Sequence, residues 1–263
     1  MWSIYRHEMK ANLKSLFIWA FCVGGMGFAC ILLFSGMQES MEGMAENFAA
    51  MGGFSDAFGM SQISIATLMG FYATEVGTIH SLGGAMFAAI LGTAMLSKEE
   101  DGHTREFLFS LPVSRNRVIA AKGCTIITNV ILMNAICILF YMIGILIVGE
   151  SIPTEKYALY HLMQLGMQLE IASVCYAVSA FTKKNKFGIG LGIVLFLYAY
   201  DLIARVIPDL SDYKVISPFS YANAADIFST GEVCQAAAGI GAVVLIFSIV
   251  TAFAVYTKRD LLA

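Results

Sequence analysis

The side chains able to do chemistry in this 263-residue chain are few, and the most unusual is Glu170, one acid inside an otherwise uncharged stretch from 157 to 182. A carboxylate at the centre of such a run costs about 2.5–3.5 kcal/mol on an insertion scale, so it must face a partner group or water. On a helical wheel His161, Gln164 and Gln168 gather on one face while Glu170 points roughly opposite, which lets one face line a polar pathway and the other pack inward. Asn129, Asn134 and His80, in other stretches, are the candidate partners of Glu170, and its role is either an interhelical hydrogen bond or contact with cargo. Asp201 and Arg205, four apart, share a helical face and can pair. A second concentration of chemistry is KEEDGHTREFLFSLPVSRNRVIAAK, residues 98–122, whose charges frame the apolar Phe107, Leu108, Phe109 and Leu111. Met41, Met44, Phe48 and Met51 recur at helical spacing; thioethers bind Cu(I), but such a stripe also serves as adaptable packing. The six cysteines sit in apolar stretches without paired spacing, so neither a disulfide framework nor a zinc site is indicated, and no catalytic set or metal site is assigned.

The elements that must position these groups follow from where charge is missing. Only 13% of residues are charged, against roughly 25% for a soluble domain. Runs free of charge at 15–38, 76–97, 123–149 and 233–257 each reach or exceed the ~20 residues that cross a bilayer. Two more candidates, 157–182 and 187–207, are interrupted only by Glu170 and by Asp201 and Arg205. The fold expected is therefore an all-α polytopic membrane protein with six transmembrane helices, about 15–37, 76–97, 123–149, 157–182, 187–207 and 233–257, forming one domain over 1–263. The first span is too long for a secretory signal and reads as a retained anchor. With both termini cytoplasmic, 13 of the 16 bases fall inside and 12 of the 19 acids outside, as the positive-inside rule requires. The net charge of −3 gives no footprint for nucleic acid.

Between spans, residues 2–14 place Trp2, Tyr5, Met9 and Leu13 on one face and Arg6, Lys10 and Lys14 beside it, the pattern of an amphipathic helix lying on the inner membrane surface. Residues 38–75 form an outer loop and helix, and 208–232 an outer re-entrant or loop segment. In 98–122, Gly102 can end a helix, Thr104 can cap the next, Glu106 suits its first turn, Pro112 stops it and Ser114 caps the third span. An amphipathic helix with an aromatic tip fits a groove on a soluble partner, or else rests on lipid. Gly188 and Gly192, and Gly84, Ala88 and Gly92, provide seams for close helix packing.

This loop resembles the first cytoplasmic loop of the membrane subunits of type-2 ABC exporters, through Glu99, Glu100, Gly102, Thr104, Glu106, Leu108, Leu111, Pro112, Val113, Ser114, Arg115 and Lys122. It departs from the family pattern where His103 separates Gly102 from Thr104 and where Phe109 replaces a Leu. Ser217, Pro218 and Phe219, then Gly231 and Glu232, and the stretch Tyr256 to Leu261 extend the resemblance along the chain. It implies a permease subunit, not itself an enzyme, whose loop contacts a separate ATP-binding subunit through Glu99, Glu100, Gly102, Thr104, Glu106, Phe107, Leu108, Leu111, Pro112 and Arg115. No G-x-x-x-x-G-K-[ST] phosphate loop occurs, so ATP belongs to that partner and no cofactor to this chain. The resemblance also implies a second copy or a sister permease, residence in a bacterial plasma membrane, and export.

The cargo expected of so apolar a pathway is amphipathic or hydrophobic, a drug or antimicrobial peptide. The alternatives are a scaffold or channel without a motor, or a copper-linked permease. Glu99, Glu100 and Arg105 look superficially like the EE-x-x-x-R of intramembrane prenyl-endopeptidase-like proteins, but four residues intervene here, and His7 and His103 lie outside the spans.

Overall fold

Backbone groups in a bilayer have no water to bond, so stretches this apolar must satisfy themselves internally. The computed structural model, which describes residues 1–102 and 113–259, does so with helices, and no strand occurs among the described residues. In chain order they are α1 (Trp2–Ala49), α2 (Gly53–Phe58), α3 (Leu68–Met95, with a π-helical turn at Tyr72–Val76), α4 (Lys98–Asp101), α5 (Arg115–Val148) and α6 (Thr154–Phe181). Then come α7 (Phe187–Val206), a 3-10 stretch Pro208–Ile216, α8 (Pro218–Tyr221), α9 (Ala224–Thr230) and α10 (Gln235–Lys258).

Among the described residues α1, α3, α5, α7 and α10 are long and apolar enough to cross a membrane. α6 has 28 residues but carries His161, Gln164, Gln168 and Glu170, all buried. It packs against α3, α5, α8, α9 and α10, so its polar groups face protein rather than lipid, which explains why composition alone undervalues it. α1 lies along α5, while α3 packs against both α6 and α7.

Small residues allow these approaches. A Cβ at Gly92 would sit 2.6 Å from the Ala172 carbonyl oxygen, and one at Gly84 would collide with the Gln168 side chain, so the Gly84 to Gly92 seam of α3 meets α6. The G-x-x-x-G of α7 does not behave this way. Gly188 and Gly192 have nothing near their missing Cβ, and the close contact falls at Gly190, against Ala89 and Thr93.

One element differs from the sequence expectation. Residues 2–14 are not a separate surface helix: they are the first turns of α1, because nothing between Lys14 and Ala49 breaks the helix and Gly24 and Gly27 are used for contact with Phe140 and Tyr141. Residues 38–75 combine helix and loop: α1 continues to Ala49 and α3 begins at Leu68, where Thr67 Oγ1 accepts from the Gly70 N–H at 3.0 Å.

Candidate functional site: a charged collar and a buried polar seam

The flanks of the 98–122 loop are gripped by charge. Lys122, on the second turn of α5, is fully buried; its ammonium donates to the Met95 carbonyl at 2.7 Å and to Glu8 Oε1 at 3.0 Å, and it pairs with Glu99. Lys98 pairs with the other oxygen of Glu8. Burial alone would raise the Glu8 carboxyl, but Lys122 and Lys98 together hold it below the ordinary carboxylate value. One ammonium thus joins α1, the end of α3, α4 and α5.

The other side of the collar is built from arginines. Arg259 donates to the Ala180 and Thr182 carbonyls at 2.9 and 3.1 Å and to Glu100 Oε2 at 3.0 Å. Arg115 donates to the carbonyls of Thr257 at 3.1 Å and Arg259 at 2.7 Å. Carbonyls at helix C-terminal ends carry partial negative charge, so a guanidinium is well placed there. Glu99, Glu100, Arg115 and Lys122 are thereby brought together with α6 and α10. Gly102 closes α4, its N–H on the Lys98 carbonyl at 2.8 Å. Thr104, Glu106, Phe107, Leu108, Leu111 and Pro112 lie outside the described residues. Sequence reasoning missed Glu8, although a lone acid among Arg6, Lys10 and Lys14 was a usable signal.

A family model described as ABC-2 family transporter protein matches residues 2–261 of this helical, collared chain. The chain belongs to the ABC-2 transporter family. No curated protein sequence matches it. Members of this family are membrane permease subunits without an ATPase site of their own, in keeping with the missing phosphate loop.

Further from the collar, the ABC-2 protein buries a polar seam between α3, α5 and α6. Asn134 Oδ1 accepts from His80 Nε2 at 3.0 Å, which leaves His80 Nδ1 to accept from the Tyr141 hydroxyl at 3.2 Å. Asn134 Nδ2 donates to Gln168 Oε1 at 2.6 Å. His161 Nε2 is hydrogen-bonded to the Tyr72 hydroxyl at 2.9 Å, and its ring is surrounded by those of Tyr157, Tyr160 and Tyr141. Gln164 Nε2 bonds Ser81 and the Ala222 carbonyl, the latter at 2.8 Å. The π-helical turn near the N-terminal end of α3 holds Tyr72 in this cluster.

Glu170 stands apart from that seam. Its Oε2 accepts from the Tyr221 hydroxyl at 2.9 Å, so the partner comes from α8 and not from His80, Asn129 or Asn134. His80 and Asn134 bond each other, and Asn129 donates to the Thr125 carbonyl of its own helix. A Cβ at Gly241 would collide with Glu170 Oε2, so only glycine lets α10 pass here.

The segment carrying Tyr221 is anchored on several sides. Ser217 Oγ accepts from the Phe219 N–H and donates to the Leu197 carbonyl at 3.0 Å. Asn223 Oδ1 caps α9 through the Asp226 N–H at 3.0 Å, and Lys156 donates to the Phe228 and Ser229 carbonyls. Arg205 bridges Asp201 at 2.8 Å, the pair expected from their spacing, and also Asp226 at 3.0 Å. From Thr154 to Gln164 α6 rises about 15 Å, so the bond to Ala222 places the break between α8 and α9 well down the length of α6.

Proposed function

We propose that this ABC-2 protein is the membrane-spanning permease subunit of an ATP-driven exporter. It crosses a bacterial plasma membrane six times with both ends inside, and works with a separate ATP-binding subunit and a second copy of itself or a sister permease. The observation that carries the reading is the collar. Force applied to the 98–122 loop reaches α1, α3, α5, α6 and α10 through Glu99, Glu100, Arg115 and Lys122 within one or two ion pairs or charged hydrogen bonds to backbone carbonyls. Ionic contacts this buried transmit displacement because breaking any of them strands a charge.

In this reading Phe107, Leu108 and Leu111 seat in the ATP-binding subunit, which binds the ATP. The segment 208–232 is re-entrant and caps the outer mouth; the break between α8 and α9 is tolerated at membrane depth because protein covers it, while the exposed Pro208–Ile216 stretch stays nearer the surface. The cargo is amphipathic or hydrophobic, with drugs or antimicrobial peptides favoured by the scarcity of fixed charge along the route. The test is reconstitution with the ATP-binding subunit. Glu100→Gln, Leu108→Ala and Arg115→Gln are expected to insert normally and bind ATP-driven transport less tightly to hydrolysis; ordinary ATP-dependent transport by all three overturns the coupling role.

A further inference from the structure

Glu170 borders a cavity of about 510 Å³ that opens between α6, α7 and α10 and is roofed by Ile216 and Pro218. That is within the range of pockets that take small organic ligands. The other walls are Val174, Ile189, Ile193, Phe196, Leu197 and Val244, with Gly192 as the floor, so Glu170 is the one ionisable group among the described lining residues. Its Oε2 accepts from Tyr221 and lies against Gly241, while Oε1 has no hydrogen bond among the described residues. No lysine, arginine or histidine pairs with Glu170 among them.

A carboxylate in an apolar crevice is neutralised most economically by a cation that brings its own apolar body. Lipid of net negative charge is repelled by the same carboxylate. The exposed ring of Phe196 adds a face on which a cation is attracted. A cavity of about 300 Å³ between α5, α6 and α10 is also apolar, but no charged residue is among its described lining to select a ligand.

We infer that the crevice binds lipophilic organic cations that enter sideways from the bilayer, the cationic centre against Glu170 Oε1 and the apolar body against Ile189, Ile193 and Phe196. This names a cargo class for the exporter and rests on that reading. Gly192 sets the depth of the site: it has open space where a Cβ would stand, so the ligand and not a neighbouring helix occupies it.

The test uses the full chain in phosphatidylcholine nanodiscs and two ions of matched size and shape, tetraphenylphosphonium and tetraphenylborate, measured by equilibrium dialysis. Saturable binding of the cation and none of the anion is expected. Glu170→Gln weakens the cation by about tenfold or more, since the charge pair in an apolar site is lost. Tyr221→Phe keeps the charge and stays within about threefold. Gly192→Trp fills the crevice from a position that touches nothing and abolishes binding with Glu170 intact, so the test stands even where Glu170→Gln misfolds. Equal partition of the two ions, or cation binding indifferent to both Glu170→Gln and Gly192→Trp, overturns the site. So does high-yield crosslinking of Phe196→Cys between two chains, because a second copy then covers the crevice. ATP-driven export by a complex that fails the dialysis test leaves the exporter standing and removes this site; binding by a chain that no ATP-binding subunit engages does the reverse.

Discussion

Lys122→Met is the sharpest perturbation of the collar. The ammonium has three partners: Glu8, Glu99 and the Met95 carbonyl. Glu8 keeps Lys98, so the loss falls on Glu99, whose side chain is only 12% exposed, and on the end of α3. Methionine fills the volume of the lysine stem, which isolates the electrostatic part. Removing one partner of a buried ion pair costs about 3–5 kcal/mol because the remaining charge is stranded. Adding Glu99→Gln removes that charge and should return about 1–3 kcal/mol, making the double variant less damaged than the sum of the singles. SDS-induced unfolding of the purified protein can be followed with a thiol-reactive dye once Cys22, Cys30, Cys124 and Cys234 are replaced by Ser, since Cys137 and Cys175 are buried and react only on opening. A Lys122→Met variant within about 0.5 kcal/mol of the parent, or strict additivity in the double variant, refutes the claim that Lys122 joins these elements electrostatically.

Gly92→Ala should cost about 1–3 kcal/mol in the same assay, because its Cβ meets the Ala172 carbonyl across the helix seam, whereas Gly188→Ala should be neutral or gain about 0.5–1 kcal/mol. Arg205→Gln leaves Asp201 and Asp226 without their shared cation and should speed amide exchange in 208–230, measured by mass spectrometry, while exchange in α5 stays unchanged. The folded Glu8 carboxyl is lowered, so its contribution is complete above the ordinary value of 4.5 and is lost as pH falls through the lowered one; Glu8→Gln should remove that acid-side loss from a stability–pH curve.

The long helices were legible because lipid tolerates no charge on an outward face, so gaps between charges map directly onto α1, α3, α5 and α10. α6 was legible only as an interrupted run, since a helix enclosed by protein is free to carry His161, Gln164 and Glu170. The Asp201 and Arg205 pair was readable from four-residue spacing, a local signal. The Tyr221 and Glu170 bond spans 51 residues and leaves no local pattern. Small-residue motifs showed that close packing occurs but not on which face, which is why Gly190 and not Gly188 or Gly192 meets α3. The separation of residues 2–14 from the first span was misjudged because amphipathic patterning reports which face is wet, and says nothing about whether the helix stops.

The continuity of α1 makes it a mechanical pointer. It is pinned near one end, where Glu8 is held by Lys98 and Lys122, and it runs unbroken to Ala49. At 1.5 Å per residue it extends about 60 Å from Glu8, packed along α5 through Gly24 and Gly27, so a tilt of about 5° shared by the two helices sweeps its far tip through about 5 Å. Small motions at the collar are thereby enlarged at the far end of the helix pair, without any hinge in between.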